Sequence, residues 1–104
     1  MLKEHINRIT PNETPENIIP IMTYELGDLA KCLMFAKRRP QLEKEYKAEA
    51  RIATSDLVAQ CIVMCERLGW DFYEVVHLGE DRCIEKIKVY EHLIAAGEAK
   101  VVIG

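Results

Sequence analysis

Residues 56–65 read DLVAQCIVMC and are apolar around almost the whole circumference of a helix. A helix with this pattern is covered by neighbours on several sides, whereas a surface helix is apolar on one face only. One small bundle offers too little surface to cover it. The segment therefore predicts an all-α fold, an antiparallel bundle of about four helices that assembles as a homodimer or a higher homo-oligomer.

Local signals place the two long helices. Thr14 is a typical N-cap and Pro15 a typical first helical residue, so the first helix begins there and stops before Pro40. The second is predicted over residues 42–68, because apolar residues continue at helical spacing up to Gly69, a residue that often ends a helix.

Two shorter helices are predicted downstream. Asp71 caps the first, an interruption follows around Gly79, and the last helix covers about residues 80–96. Residues 1–13 are predicted to form a polar, irregular arm after one short turn. The tail, residues 97–104, is prone to β structure and either packs on the helices or pairs between subunits.

Length and composition restrict the class of protein. A chain of 104 residues accommodates a single domain, here residues 1–104 with a core at about 14–96. The net charge of -3 gives no broad basic field, which argues against duplex nucleic acid or a membrane surface as a partner. The N-terminus lacks the apolar core of a signal peptide, and the four cysteines lie in helical context. We expect a cytoplasmic protein with reduced thiols.

Acidic side chains interrupt the apolar pattern of the first long helix. At about 100° per residue, Glu25 falls inside the apolar arc beside Cys32, and Asp28 lies roughly 60° away at the edge of that arc. The same wheel places Lys31 opposite. Two acids one turn apart on an inward face require a partner, because burying an ionised carboxylate alone costs several kcal/mol.

The second long helix repeats this anomaly. Glu49, Asp56, Gln60 and Arg67 share a stripe within about 40° on an otherwise apolar surface. If the two helices pack antiparallel, their acids converge. The convergence favours magnesium, with manganese as the alternative, because hard cations take oxygen ligands and bring phosphate oxygens into their coordination shell. In the alternative interpretation these acids are structural and pair with basic residues, namely Arg51, Arg67 or Lys86.

Three short motifs resemble those of the MazG-type nucleotide pyrophosphohydrolases. Residues 24–31, YELGDLAK, resemble the first acidic motif, Glu-Glu-x-x-Glu. Residues 55–58, SDLV, resemble the end of the second motif, Glu-x-x-Asp, and residues 67–71, RLGWD, are similar to the turn that follows. The resemblance covers roughly residues 16–90. It implies an all-α dimer or tetramer that hydrolyses nucleoside triphosphates to monophosphates and pyrophosphate with magnesium.

Carried over by position, the resemblance makes Glu25, Asp28 and Asp56 metal ligands. The chain departs from the family pattern twice. Tyr24 stands in place of the first glutamate of the doublet, and Ala53 stands in place of the glutamate of Glu-x-x-Asp. The second departure removes an expected ligand and puts the number of metals, and activity itself, in question.

Three further residues complete the predicted site. Glu49, two turns before Asp56 on the same stripe, is the predicted catalytic residue, a fourth ligand or a base that orients water. By the position of the family's basic residues, Arg82 and Lys86 are predicted to bind substrate, although exposed Lys and Arg usually contact only solvent.

The sequence thus predicts a magnesium-dependent nucleoside triphosphate pyrophosphohydrolase. The alternative is a catalytically degenerate MazG-like helical oligomer that binds a nucleotide or a protein after losing the acid at position 53.

Overall fold

The computed structural model describes the backbone of residues 2–9 and 14–101, with the side chains of residues 3–8 and 14–101. Its helices are α1 (Leu2–Ile9), α2 (Pro15–Arg38), α3 (Glu43–Leu68) and α4 (Phe72–Ala95), with a short 3-10 turn (Pro40–Leu42) between α2 and α3. The described residues contain no strand. The predicted all-α class is confirmed.

The predicted start of α2 and end of α3 are confirmed by their caps. Thr14 Oγ1 accepts a hydrogen bond from the backbone N–H of Asn17 at 3.4 Å, and Pro15 takes the first helical position. Gly69 ends α3 in the left-handed conformation with φ 71°. The backbone N–H of Trp70 then donates to the carbonyl oxygen of Cys65 at 2.9 Å. These side-chain and backbone bonds satisfy groups that the helix ends leave without partners.

The predicted break at Gly79 is wrong, because α4 runs through it as one helix of 24 residues. Asp71 begins this helix as predicted, with Oδ1 accepting from the N–H of Glu74 at 3.0 Å. A single interior glycine costs a helix only about 1 kcal/mol. The cap and the helix-forming residues on both sides of Gly79 outweigh that cost.

The N-terminal arm also differs from the prediction, since residues 2–9 form α1 rather than one short turn. Contacts with the end of α3 explain the difference. Ile6 is only 7% exposed, and Arg67 donates from Nη1 to Asn7 Oδ1 at 2.9 Å and from Nη2 to the carbonyl oxygen of Ile6 at 3.1 Å. These bonds join residues about 60 positions apart, so the local sequence of the arm does not reveal them.

The number of described helices agrees with the prediction of about four, but their identities differ. One helix is added at the N-terminus, and the two predicted after Asp71 are a single helix. Residues 99–101 of the predicted tail form no strand, and residues 102–104 lie outside the described part of the chain.

Helices α2 and α3 form an antiparallel hairpin. Cys32 on α2 lies against Glu49 on α3, and Phe35 lies against Tyr46, so residue numbers rise along one helix as they fall along the other. Small buried side chains, among them Ala36, Ala50 and Ala53, belong to these two helices.

The chain divides into two compact units, Met1–Trp70 and Asp71–Gly104. The first contains α1, α2 and α3, and the second contains α4. The predicted single domain and the predicted assembly of all helices in one bundle stay predictions. No helix in the described ranges combines the length and apolar character that crossing a bilayer requires.

The apolar arc predicted for α2 is only partly buried. Ile18 and Ala36 are buried as expected, whereas Leu26 and Leu33 are 57% and 48% exposed. In α3, Val58 is also 46% exposed, although it belongs to residues 56–65, whose apolar pattern predicts a helix covered on several sides. The wheel places all of these residues inward, but a hairpin of two helices covers only one side of each.

Two glycines provide a matched test of helix continuity and helix termination. An added Cβ at Gly79 meets no atom within 4 Å, so Gly79→Ala is expected to stabilise the protein by about 0.5–1 kcal/mol. Gly69 has open space too, but its positive φ strains an alanine, so Gly69→Ala is expected to destabilise by about 1–2 kcal/mol. Urea unfolding measures both changes. A loss of stability in Gly79→Ala would contradict a continuous α4.

Candidate functional site

An open groove of about 390 Å³ lies between α2 and α3. Five residues of α2 and five of α3 line it, and they include all four of the acids that the sequence predicts for the metal and catalytic roles. The lining residues are Glu25, Asp28, Lys31, Cys32 and Phe35 from α2, and Tyr46, Glu49, Ile52, Ala53 and Asp56 from α3.

The antiparallel register divides this groove into two ends. At the carboxylate end, Glu25 of α2 is close enough to Asp56 of α3, and to Asp28 of its own helix, for the charges to interact. At the aromatic end, the rings of Phe35 and Tyr46 are 5.6 Å apart between centroids. The two ends are separated along α2 because Asp28 and Phe35 are about two turns apart. The prediction that the acids of both helices converge therefore agrees with their positions in the groove.

Glu25 shows the electrostatic consequence of this convergence. Loss of hydration in the groove raises the pKa of its carboxyl above the ordinary value, and the charges of Asp56 and then Asp28 raise it further. All three effects penalise the ionised form. A cation at this end of the groove would oppose the two charge effects, because its positive charge favours the ionised form of Glu25 and lowers the pKa.

Cys32 and Glu49 occupy the middle of the groove. The thiol Sγ lies 3.8 Å from Glu49 Oε2 and donates to it. Burial, followed by the charges of Glu49 and Asp28, raises the pKa of the Cys32 thiol, so the thiolate is disfavoured. In this arrangement Cys32 is a neutral thiol that donates a hydrogen bond to Glu49.

Among the described residues of the first unit, the groove acids have no basic partner of the kind that a structural role requires. Within the described part of the first unit, none of Glu25, Asp28, Glu49 and Asp56 takes part in an ion pair. Of the partners considered from the sequence, Arg67 is directed to α1 and bonds Asn7. The interpretation of these acids as salt-bridge partners within this unit is thus not supported.

The acids are close together but do not form a finished metal site. Among the residues that the structure describes, no three side chains of His, Cys, Asp or Glu are arranged to hold a metal ion. Glu49 and Asp56 are exposed, so their side chains are free to change rotamer. Coordination of a cation would require the acids to draw together from these positions.

The two departures from the MazG pattern differ in their surroundings. Ala53 lines the groove and is 5% exposed. Tyr24 is 68% exposed and is not among the groove's lining residues. Of these two positions, position 53 is therefore the one at which a carboxylate would add to the charge of the groove.

Arg82 and Lys86 lie on α4, in the second unit, and both are exposed. Lys86 lies in a shallow depression on that helix with Cys83, Ile87 and Tyr90. Their predicted contact with substrate stays a prediction.

The groove residues without a role in the sequence prediction include Lys31, Phe35 and Tyr46. The wheel places Lys31 opposite the apolar arc, but the groove opens at the side of the helix interface, on the face that carries Asp28. Phe35 follows Asp28 by seven residues and so shares its face, which is a signal available from spacing. Tyr46 is placed there by the register with α3, which a single helix does not reveal.

The chain matches no protein-family model, no curated protein and no solved structure. The resemblance to MazG-type enzymes consequently rests on the three sequence motifs alone.

Glu25→Gln tests the repulsion at the carboxylate end. The raised pKa of Glu25 means that the folded chain binds a proton more tightly than the unfolded chain does. The stability contributed by this proton is fully present below the unfolded pKa and is lost as pH rises through the folded pKa. Without divalent metal at pH 7, the variant is expected to unfold at a higher urea concentration than wild type.

The matched control is Glu85→Gln, which removes an exposed carboxylate of α4 that does not line the groove. Stability should fall with pH less steeply in Glu25→Gln than in wild type or the control. A Glu25→Gln protein less stable than wild type at pH 7 would show that the carboxylate is satisfied in the fold.

Proposed function

We propose that the groove between α2 and α3 hydrolyses a nucleoside triphosphate to a nucleoside monophosphate and pyrophosphate, with magnesium as cofactor and manganese as a substitute. One observation carries the proposal. Carboxylates from two helices, Glu25, Asp28, Glu49 and Asp56, line one open groove and form no ion pair within the described first unit. Acids in that arrangement repel one another unless a cation joins them.

The donor set fits a hard divalent cation. Glu25, Asp28 and Asp56 would supply carboxylate oxygens, the ligand type that magnesium prefers, and the open groove would admit water and phosphate oxygens as well. When bound, the metal would neutralise the phosphates and lower the pKa of a water molecule.

Glu49 is the proposed base. It lies between the carboxylate and aromatic ends, where the Cys32 thiol donates to one oxygen, Oε2, and leaves Oε1 available to a water molecule. In the proposed step the water oxygen attacks the α-phosphorus, the bond from that phosphorus to the bridging oxygen breaks, and pyrophosphate leaves with the bonding electrons. Glu49 accepts the proton of the water.

Electrostatics make the cation a condition for substrate binding. The groove carries four carboxylates and one lysine, so at neutral pH its own charge is negative. A polyphosphate is also strongly negative, and like charges at close range are repelled. Substrate therefore enters as a complex with metal or after metal has bound.

A homodimer or homotetramer is part of the proposal. Leu26 and Leu33 form an exposed apolar line along α2, seven residues apart, and Val58 is exposed on α3. Contiguous exposed apolar residues are commonly covered by another subunit.

A second candidate function is nucleotide binding without turnover. It is favoured by Ala53, which stands in the groove where the resemblance expects a metal ligand, and by the absence of a preformed group of three ligands among the described residues. In this case the acids bind a metal–nucleotide complex but do not position water for attack.

Turnover distinguishes the two functions. Purified protein is incubated with each ribo- and deoxyribonucleoside triphosphate plus magnesium or manganese, and the products are resolved by ion-exchange chromatography. Wild type is expected to release monophosphate and pyrophosphate from at least one substrate. Asp56→Asn should lose at least about 100-fold in rate, because a lost ligand weakens metal binding and activation of water together.

Glu85→Gln is again the control and should keep the wild-type rate. Equal rates in wild type and Asp56→Asn would contradict the proposed site. Metal-dependent nucleotide binding with no product from any substrate would instead establish the second candidate.

A further inference from the structure

The aromatic end of the groove is held by contacts that the proposed hydrolysis does not use. Phe35 and Tyr46 are tilted by 49° with ring centroids 5.6 Å apart. Arg39 stabilises both rings, since its Nη1 donates to the Tyr46 hydroxyl at 3.4 Å and its guanidinium lies 5.8 Å from the Phe35 ring centre. Arg39 therefore links the two aromatic side chains at this end of the groove.

Lys31 lies against the Phe35 ring at the same end of the groove. Its Nζ is 5.7 Å from the Phe35 ring centre, a distance at which the face of the ring attracts a cation. It is the one positively charged side chain among the described residues that line the groove. Four carboxylates line the same groove, two of them on its own helix, yet Lys31 forms no ion pair with any described residue of its unit.

This arrangement differs from that of a lysine that merely shields acids. A shielding ammonium would rest on one of the carboxylates, as Lys47 does on Glu43 at 2.7 Å on the outer surface of α3. Lys31 instead lies against the Phe35 ring, and its N–H donors have no carboxylate acceptor among the described residues of its unit. Its ammonium is consequently available to an anion from solution.

We propose that Lys31 binds a phosphate group of the polyphosphate substrate, so that the groove holds the substrate between a metal at the carboxylate end and an ammonium near the aromatic end. The inference rests on the proposed function for the identity of the anion. Asp28, which would help to hold the metal, and Lys31 are separated by about 4.5 Å along the helix axis, so one polyphosphate chain is long enough to span both positions.

The proposal also bears on the loss of the acid at position 53. A groove with one carboxylate fewer than the family pattern would bind less positive charge in the form of metal ions. The Lys31 ammonium in the same groove would supply part of the positive charge that the phosphates require. Lys31 is a point charge on a flexible stem, so it can follow the phosphate as the metal complex binds.

The test compares Lys31→Gln with Lys37→Gln, which removes an exposed lysine of the same helix outside the groove. The probe is inorganic tripolyphosphate with magnesium, titrated into the full chain by calorimetry, because it presents phosphates without a base. Lys31→Gln is expected to raise the Kd about 10-fold or more, as for the loss of a charge-assisted hydrogen bond. Lys37→Gln should match wild type, and Lys31→Arg should restore most of the affinity.

Kinetics give the second readout. With the triphosphate that wild type hydrolyses, Lys31→Gln should raise KM more than it lowers kcat, since the contact is made in the ground state and kept during reaction. A variant with wild-type Kd and KM would overturn the role of Lys31 and leave the proposed hydrolysis intact. Lys31-dependent tripolyphosphate binding without any turnover would uphold Lys31 and reject hydrolysis. No binding of tripolyphosphate by wild type with magnesium would overturn the inference itself.

Discussion

The antiparallel packing of α2 on α3 is the constraint on which the groove depends. Its register places Cys32 against Glu49 and Phe35 against Tyr46, and the same register brings acids of both helices to one end. Small residues such as Ala53 let the two backbones approach closely. Like charges gathered this way oppose packing, so the apolar contacts of the hairpin must outweigh their repulsion. A bound cation would reduce this repulsion, and it would therefore link the stability of the hairpin to the proposed function.

Helix ends were predictable from the sequence wherever a local bond fixes them. Thr14, Gly69 and Asp71 each act through atoms within a few residues, and the structure has them as expected. Contacts between distant residues were not predictable. The helix at residues 2–9 depends on Arg67, and no periodicity in the first thirteen residues encodes that partner. At Gly79 the error came from treating a weak helix breaker as a strong one.

The residues of the candidate site likewise include some that the sequence predicts and others that only the packing of the helices reveals. Glu25 was detectable because a carboxylate within an apolar arc violates a strong energetic rule, and the groove contains it. Lys31 was missed because the wheel places it opposite the apolar arc, whereas the groove opens at the side of the helix interface, on the face that carries Asp28. Tyr46 was missed because its place depends on the register of the partner helix. The aromatic end of the groove consequently emerged only with the structure.

The most direct test of the account locates a divalent cation in the folded chain. Manganese added in substoichiometric amounts broadens nearby amide resonances in a nitrogen–proton correlation spectrum. The account predicts that the amides of Glu25, Asp28 and Asp56 broaden first, well before those of Glu43 and Glu45, exposed acids about 16–20 Å along α3 from Asp56. Broadening that is equal at both places, or absent from the groove, would contradict a metal site built by the α2–α3 hairpin.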